Sequence, residues 1–391
     1  MTMDGLRRIS AADLDLIDGD AELEASIRDE IAATGPMTFA RFMELALYDP
    51  ERGYYRGAAA RPGRDGDFLT APEAHPIFGQ AVARLAVDLW SALGRPSTFT
   101  IREHGAGSGA LAAALVEGVR AAEPDLGDAL RYRAVEVEPR RLEELQARIG
   151  DVVEPDDGAA IDGLVLANEV LDALPTHRVV GTGQGLAEVF VAIADDRLVD
   201  AAGPPSSPAL EARLTAEGIT LAEGQQAEIC LAADAWVAGA AGGLATGLLL
   251  LIDYGHPAAA LYDNRRRPRG TLAAYVSHRI HDDPYRAIGR QDLTAHVDVT
   301  AVEAAAVAAG LDHVATTTQG RFLAGLGVGD LLVALQTGPD ADLARYLDAK
   351  ASLVRMIDPA AMGGFAVMAF GRGLAPDARL RGLTAAAPDL T

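Results

Sequence analysis

The stretch TIREHGAGSGALAAAL, residues 100–115, decides the fold of this chain. An apolar, strand-like run leads into Gly105, Gly107 and Gly109 and continues directly as a helical pattern. Glycine has no Cβ and tolerates positive φ, so such a turn lets a ligand approach the backbone amides that begin a helix. The turn lacks the Gly-Lys-Ser/Thr of a P-loop, and Ala110 replaces the last glycine of the dinucleotide fingerprint. A nucleoside-type ligand is therefore favoured, with a tight turn that binds nothing as the alternative.

Three further apolar runs resemble the strand before this turn, and each ends in polar or acidic residues. The four runs are FTIREH (99–104), YRAVEV (132–137), GLVLANEV (163–170) and LLLLIDYG (248–255). Because helical sequence separates them, we expect parallel strands covered by helices on both faces, with the ligand at their carboxyl ends. Two later strands, near 311–318 and 365–370, are expected to form an antiparallel end of the sheet. The sequence predicts an open α/β sheet.

Two acidic residues favour a methyl donor over a nicotinamide cofactor. Glu136 ends the second strand, 27 residues after Gly109, where a carboxylate can accept hydrogen bonds from both ribose hydroxyls. Glu103 stands directly before the glycines, where dinucleotide folds usually have an apolar residue, and it can face the cationic methionine end of S-adenosylmethionine.

The remaining sequence is divided by its changes of pattern. One helix is predicted before the Gly35-Pro36 pair and a second after it. A loop over 53–73 and a helix over about 76–93 follow. An insertion holds three strand-like runs and a predicted helix over about 224–240, and another helix is predicted over 298–309. The predicted regions are 1–75 (helical cap and lid), 76–175 (donor-binding half), 176–244 (insertion), 245–372 (second half with acceptor loops) and 373–391 (tail).

Composition limits the partners. The 391 residues include 34 Lys and Arg against 56 Asp and Glu, a net charge of −22, which repels long nucleic acid and favours cationic substrates, although such acidity also serves solubility. Cys230 is the single cysteine, so no internal disulfide is possible. The apolar run 247–252 is too short to span a membrane, and the first residues lack the order of a secretory signal. We therefore expect a cytoplasmic protein without membrane partners.

A set of longer blocks in the chain resembles one known family. The blocks are NEVLDALP (168–175), GYY (53–55), GDFLTAPE (66–73), IFGQ (77–80), EHGAGSG (103–109), IDYGH (252–256), DLTAHVD (292–298) and MGGFAVMAF (362–370). Taken in their order along the chain, they resemble the MidA family of class I S-adenosylmethionine-dependent methyltransferases, over about residues 34–372. That family includes the mitochondrial complex I assembly factor that methylates an arginine. His104, Ala106 and Ser108 depart from the family's usual Leu, Pro and Arg, while the glycines and the leading acid remain.

The resemblance implies a class I, Rossmann-like sheet of seven strands with helices on both faces, an N-terminal helical cap and an inserted α+β substrate region. It implies S-adenosyl-L-methionine as the cofactor. Thr70, Glu73 and Asp67 belong to a loop that resembles the family's and is expected to close over the donor, although by sequence alone it is an ordinary turn and helix cap. The expected donor-binding residues are Asp67, Thr70, Glu73, Glu103, Gly105, Ala106, Gly107, Gly109, Glu136, Val137 and Asn168.

Asn168, Glu169 and Asp172 are the expected catalytic residues. Asn168 ends a strand next to the expected methyl group, where its side-chain carbonyl can orient an attacking nitrogen. Glu169 and Asp172 can bind a guanidinium. Asp172 is equally well interpreted as the N-cap of a helix over the following residues.

A segment rich in histidine offers an alternative site. His278, His281 and His296, near Asp282, Asp283 and Asp298, could bind a divalent metal, but their spacing fits no standard motif, and methyl transfer needs no metal. We predict no metal site and assign the segment to the wall of the acceptor pocket or to a solvated loop. Tyr54 and Tyr55 are assigned to packing.

Three interpretations of function remain open. The favoured one is a protein arginine N-methyltransferase, whose acceptor is a protein or peptide such as a respiratory-complex subunit. The others are a methyltransferase acting on a small molecule or modified peptide, and an assembly factor that binds the donor without turnover. No nucleic-acid partner is expected, and a homodimer is left open.

Overall fold

The main sheet consists of six strands among the residues that the computed structural model describes, which are 7–9, 14, 17–56, 70–337 and 341–383. In chain order the strands are β1 (Phe99–His104), β2 (Leu130–Val135), β3 (Ile161–Asn168), β4 (Leu244–Asp253), β5 (Asp312–Thr318) and β6 (Ala366–Arg372). Their order across the sheet is β2-β1-β3-β4-β6-β5. The first four strands are parallel, and β6 is antiparallel to both β4 and β5. The predicted open α/β sheet with an antiparallel end is confirmed.

The seventh strand of the expected sheet is reduced to one bridge in the described part of the chain. After the helix Pro139–Ile149, Val153 forms an isolated parallel bridge with Tyr132 of β2, and the Glu154 amide donates to the Tyr132 carbonyl at 2.8 Å. Pro155 follows and has no N–H to continue the ladder. The expectation of seven strands is therefore wrong by one, because the chain leaves the sheet edge after a single residue.

Helices cover both faces of the sheet, and alternate residues of its strands face opposite layers. On β4, Leu248, Leu250 and Ile252 pack against one layer, whereas Leu249 and Leu251 pack against the other. The first layer contains the helices Ile77–Ala92, Ala110–Ala122, Gln319–Gly325 and Leu343–Ile357, and the second contains Ala232–Gly242 and Val299–Ala308. The helices predicted over about 76–93 and over 298–309 are confirmed.

The N-terminal part and the insertion pack together beside the main sheet. The two predicted N-terminal helices are Ala21–Thr34, which ends at Gly35 with φ 88°, and Phe39–Tyr48. The second sheet consists of Met37–Thr38, His177–Thr182, Gly185–Ala194, Arg197–Gly203 and Gln226–Ile229.

The predicted helix over 224–240 is wrong in its first half. Gln226–Ile229 is a strand that pairs with His177–Val180, and the helix begins only at Ala232. A further helix of the insertion, Pro208–Ala216, begins after Ser207, whose hydroxyl accepts from the Ala209 amide. This helix was not predicted from the sequence.

Smaller elements complete the fold. A four-stranded sheet contains Arg7–Arg8, Arg279–His281, Ala273–Val276 and Asp292–Thr294, and a two-stranded one contains Gly255–His256 and Val297–Asp298. The remaining helices are Ala71–Ala74, Pro124–Ala129, Ala258–Leu261 and Val328–Thr337, with 3-10 turns at Gly150–Val152 and Met362–Gly364. None of the helices in the described ranges is long and apolar enough to cross a membrane.

Candidate active site

The glycine turn follows β1 and adopts the backbone that only glycine takes up easily. Gly105, Gly107 and Gly109 have φ values of 69°, 55° and 74°, and the Gly105 amide donates to the carbonyl at the end of β2 at 2.8 Å. A Cβ on Gly105 would lie 2.7 Å from Cγ2 of Val170, which is too close for two carbon atoms. Gly109 leads directly into the helix Ala110–Ala122. The turn is therefore fixed both by its backbone angles and by the loop after β3.

Glu136 connects the end of β2 to this turn. Its carboxylate accepts a hydrogen bond from the Gly107 amide at 2.9 Å and another from the Val137 amide at 2.7 Å. The guanidinium of Arg141 lies 3.8 Å away. The acid that was predicted to bind a ribose is thus already held by the glycine turn.

Glu103 is buried at the end of β1. The Tyr132 hydroxyl donates to its carboxylate at 2.7 Å, and only 2% of the residue is exposed. Burial raises the pKa of Glu103 to about 7, against the lowering effect of that hydrogen bond. Glu103 can therefore carry either charge state near neutral pH.

Asp253 organises the loop that follows β3, a role that sequence analysis did not assign. Its carboxylate accepts from the amides of Val170 at 3.0 Å, Leu171 at 2.8 Å and Tyr254 at 2.8 Å. These bonds satisfy loop amides that would otherwise be buried without partners. The position of Asp172, two residues after Val170, depends on them. An acid directly after the apolar run 248–252 was the available signal in the sequence.

Asn168, the last residue of β3, borders the same cavity as Glu169 and Asp172 of this loop. Asn168 Nδ2 donates to Glu169 at 3.0 Å, whereas the buried Asn168 Oδ1 has no hydrogen-bond partner among the described residues. Residues 169–176, all within the described ranges, contain no helix, and Asp172 lies in a turn, so the helix N-cap alternative for Asp172 is wrong.

The two acids of this loop are poorly solvated. Burial raises the pKa of Glu169 to about 8 and that of Asp172 well above its usual range. Repulsion by the carboxylates of Asp253 and Asp292 adds to both effects. The site therefore favours a cation that would pair with these groups.

Asp292 brings a further carboxylate from the strand Asp292–Thr294. The Tyr55 hydroxyl donates to Asp292 at 2.7 Å, and the Tyr48 hydroxyl donates to the Ala173 carbonyl at 3.0 Å. The two tyrosine rings stack with centroids 5.5 Å apart. Tyr54 is fully buried as predicted, but Tyr55 lines the site, because its ring bridges the N-terminal helices and Asp292.

Most of these groups border one cavity of about 630 Å³, within the usual size of small-ligand sites, whereas Asp253 supports its wall from outside the lining. The predicted residues that line it are Thr70, Glu73, Glu103, Gly105, Ala106, Gly107, Glu136, Val137, Asn168, Glu169 and Asp172. Gly109 lies behind the lining and starts the helix, and Asp67 lies outside the described residues. Glu73 accepts a hydrogen bond from the Ser108 hydroxyl, which joins the short helix Ala71–Ala74 to the glycine turn.

The histidine segment divides between the cavity and the interior. His278 and His296 line the cavity, whereas His281 lies in a neighbouring strand, outside the lining. The assignment of the whole segment to the pocket wall is thus wrong for His281, since its strand pairs with Ala273–Val276. Within the described ranges, no three His, Cys, Asp or Glu side chains are grouped as a metal site requires.

Comparisons with known proteins agree with this geometry. Residues 81–317 match the family described as "Putative S-adenosyl-L-methionine-dependent methyltransferase". The mitochondrial protein arginine methyltransferase NDUFAF7 homolog of Drosophila melanogaster is 30% identical over 342 residues, 78% of this chain and 75% of the relative. The mitochondrial protein arginine methyltransferase NDUFAF7 of Danio rerio is 28% identical over 379 residues, 86% of this chain and 83% of the relative.

A solved structure covers nearly the whole chain. The crystal structure of a Burkholderia thailandensis protein bound to S-adenosyl-homocysteine is 36% identical, with a TM-score of 0.84 over 97% of this chain and 98% of that one. The matched family region, residues 81–317, contains the glycine turn, Glu136, the loop after β3 and Asp292. The chain therefore belongs to this family of S-adenosyl-L-methionine-dependent methyltransferases, as its resemblance to MidA proteins implied.

Proposed function

We propose that the protein transfers the methyl group of S-adenosyl-L-methionine to a guanidino nitrogen of an arginine in a protein or peptide. The observation that carries this proposal is the group of carboxylates, Glu169, Asp172 and Asp292, on one cavity wall beside Asn168. A guanidinium is planar, carries five N–H donors and pairs with carboxylates in fixed geometry. It is the side chain that best matches these acceptors.

The donor-binding residues would hold the cofactor on the side of the glycine turn. Glu136 would bind the ribose hydroxyls, and Glu103 would face the methionine end. Glu73, joined to the turn through Ser108, would close over it together with Thr70. The donor supplies a methyl group on a positively charged sulfur.

The acceptor must be activated by the protein itself, because a protonated guanidinium is a poor nucleophile. Carboxylates that bind two of its nitrogens localise the positive charge away from the third. The unpartnered Asn168 Oδ1 would accept from the attacking nitrogen and orient it. Asp172, whose pKa is raised by burial, would accept the proton that leaves this nitrogen.

The names of the Drosophila and Danio relatives support arginine as the acceptor. The net charge of −22 is in keeping with a cationic acceptor. Two alternatives give different outcomes: a small-molecule methyltransferase would label no protein, and an assembly factor would bind the donor without turnover.

The Asp172→Asn variant tests this proposal. We expect it to lower methyl transfer about a hundredfold or more while S-adenosyl-homocysteine affinity stays within a few-fold, because the acceptor of the proton is lost but the donor site is not touched. Transfer is measured on arginine peptides and on the same peptides with lysine in place of arginine, by mass spectrometry in steps of one methyl group. Asp162→Asn, an exposed acid at the opposite end of β3, is the matched control.

Two results would contradict the proposal. One is a normal rate for Asp172→Asn on arginine peptides, which would remove Asp172 as the acceptor of the proton. The other is label from the wild-type protein that enters only small molecules in host extract, which would favour the small-molecule alternative.

A further inference from the structure

A second, much smaller cavity lies directly behind the catalytic wall. Its volume is about 20 Å³, which is enough for one water molecule. Asp172 and His296 line both this chamber and the main cavity, so their side chains form part of the partition between the two. The chamber therefore reaches the group that was assigned to accept the reaction's proton.

Several buried polar atoms of the chamber's lining lack partners. Thr176, only 1% exposed, has no hydrogen-bond partner for its hydroxyl among the described residues, and the same holds for His296 Nδ1 and Asp298 Oδ2. Such atoms are rare in folded proteins unless ordered water satisfies them. A single water with two to four polar neighbours fits both the volume and these atoms.

The far side of the chamber leads toward the surface. Asp298 lines the chamber and faces Glu217. Burial raises the pKa of both acids, and the charge of Asp298 raises the pKa of Glu217 further, whereas the hydrogen bond with Glu217 lowers the pKa of Asp298. Arg213 approaches Glu217 at 3.9 Å and also pairs with Asp234, whose side chain is half exposed. The two acids therefore stand between the buried chamber and solvent.

We infer that one water in this chamber carries the proton released by methylation from Asp172 to the Asp298–Glu217 pair and on to solvent. The inference rests on the proposed arginine methylation. In that reaction a nitrogen–carbon bond forms, and the carbon–sulfur bond breaks with its electron pair going to sulfur. One N–H proton passes to Asp172, the water accepts it while giving another to Asp298, and Glu217 releases one to solvent.

Such a route has a physical reason. Asp172 is only 7% exposed before any ligand is bound, and donor and acceptor together would fill the main cavity. A proton on Asp172 then has no direct access to solvent through the main cavity.

The relay is tested with Asp298→Asn, because asparagine keeps the Oδ1 that accepts from the Ala301 amide and caps the helix Val299–Ala308. In single turnovers with an arginine peptide, we expect a rate about tenfold below wild type at pH 6.5. The deficit should shrink toward pH 9, where protons leave more easily through the mouth of the main cavity. S-adenosyl-homocysteine affinity should stay within about twofold.

Matched variants separate the relay from general effects. Glu211→Gln, an exposed acid on the helix Pro208–Ala216, should transfer at the wild-type rate at every pH. Thr176→Val should show a smaller loss of the single-turnover rate with the same pH dependence. It replaces Asp298→Asn in this test if that variant does not fold. The other titratable groups facing the chamber or its acid pair are Arg213, Glu228, Cys230, Asp234 and Tyr262.

A crystal structure with S-adenosyl-homocysteine should show one water within hydrogen-bond distance of Thr176 Oγ1 and His296 Nδ1. A dry chamber, or Asp298→Asn and Thr176→Val at the wild-type rate from pH 6.5 to 9, would overturn the relay while arginine methylation stands. A wild-type protein that methylates no arginine would overturn the proposed function and the relay with it.

Discussion

At the scale of single residues, Glu136 has one structural role and one proposed binding role. Its carboxylate holds the Gly107 amide, and it is also the proposed ligand of the ribose hydroxyls. We therefore expect Glu136→Ala to weaken S-adenosyl-homocysteine binding by about 1.5–3 kcal/mol, roughly ten- to a hundredfold, as for the loss of hydrogen bonds to a charged group. Calorimetry measures the change.

The control for this variant is Glu138→Ala. Glu138 caps the helix Pro139–Ile149 by accepting from the Arg140 amide, and it lies outside the cavity lining. Its removal should cost stability but leave donor affinity nearly unchanged. Equal affinities for wild type and Glu136→Ala would remove Glu136 from the donor site.

Some residues of the site could be predicted from the sequence, and others could not. Glu103, Glu136 and Asn168 were predictable because each ends a strand of a parallel sheet, and such ends meet at one edge. Asp253 also ends a strand, but its partners are amides of a loop 82 residues away in sequence, and only the fold brings them together. Asp292 comes from a polar segment without periodicity, so no pattern indicated that it would face the same cavity.

At the scale of elements, the glycine turn and the loop after β3 depend on each other. Gly105→Ala places a methyl group 2.7 Å from Val170 Cγ2 and keeps a φ of 69° that alanine resists. We expect a loss of about 1–3 kcal/mol in the free energy of unfolding and weaker donor binding. Chemical denaturation and calorimetry measure the two effects.

Two further variants resolve the causes of this loss. Gly183→Ala, at an exposed turn with nothing near its Cβ position, should be close to wild type. Val170→Ala added to Gly105→Ala should recover the part due to contact but not the part due to φ. A Gly105→Ala protein with wild-type stability would contradict the close packing.

Elements differed in how far local sequence could predict them. The central parallel strands β3 and β4 are mostly apolar runs and were predicted, since both of their faces are largely buried. Gln226–Ile229 alternates polar and apolar residues over only four positions, too few to predict a strand, and it becomes a strand because it pairs with His177–Val180. The missing seventh strand depends on Pro155, whose effect is visible only when the pairing of Val153 is known.

At the scale of the whole molecule, buried titratable groups set how stability depends on pH. Burial raises the pKa of Glu103 to about 7 and of Glu169 to about 8, while those carboxyls ionise near their usual pKa in the unfolded chain. Between pH 6.5 and 8.5 the folded state thus binds more protons than the unfolded state, and stability falls as pH rises. We expect a lower Tm at pH 8.5 than at pH 6.5 for the ligand-free protein.

Buried histidines act at lower pH. Burial lowers the pKa of His104 to about 4 and of His296 to about 3, so they remain neutral in the folded state where the unfolded chain is protonated. Their contribution to stability is lost as pH falls below about 6.5, and it changes little above that value.

The decline above pH 6.5 is tested with Glu169→Gln, which should reduce the fall of Tm between pH 6.5 and 8.5. A Tm that rises over this range would contradict the charge assignment.

The single bridge at Val153 affects how readily copies of the protein associate through the edge of the main sheet. It leaves the outer side of β2 as an almost uncovered strand, the kind of border at which proteins aggregate by adding strands. Arg131 and Arg133 project from this strand and pair with Glu154 at 3.2 and 3.3 Å. Long charged side chains along such a border obstruct the approach of a second backbone, and salt at molar concentration screens them. The arginines of β2 therefore protect solubility at the place where the sheet ends one strand early.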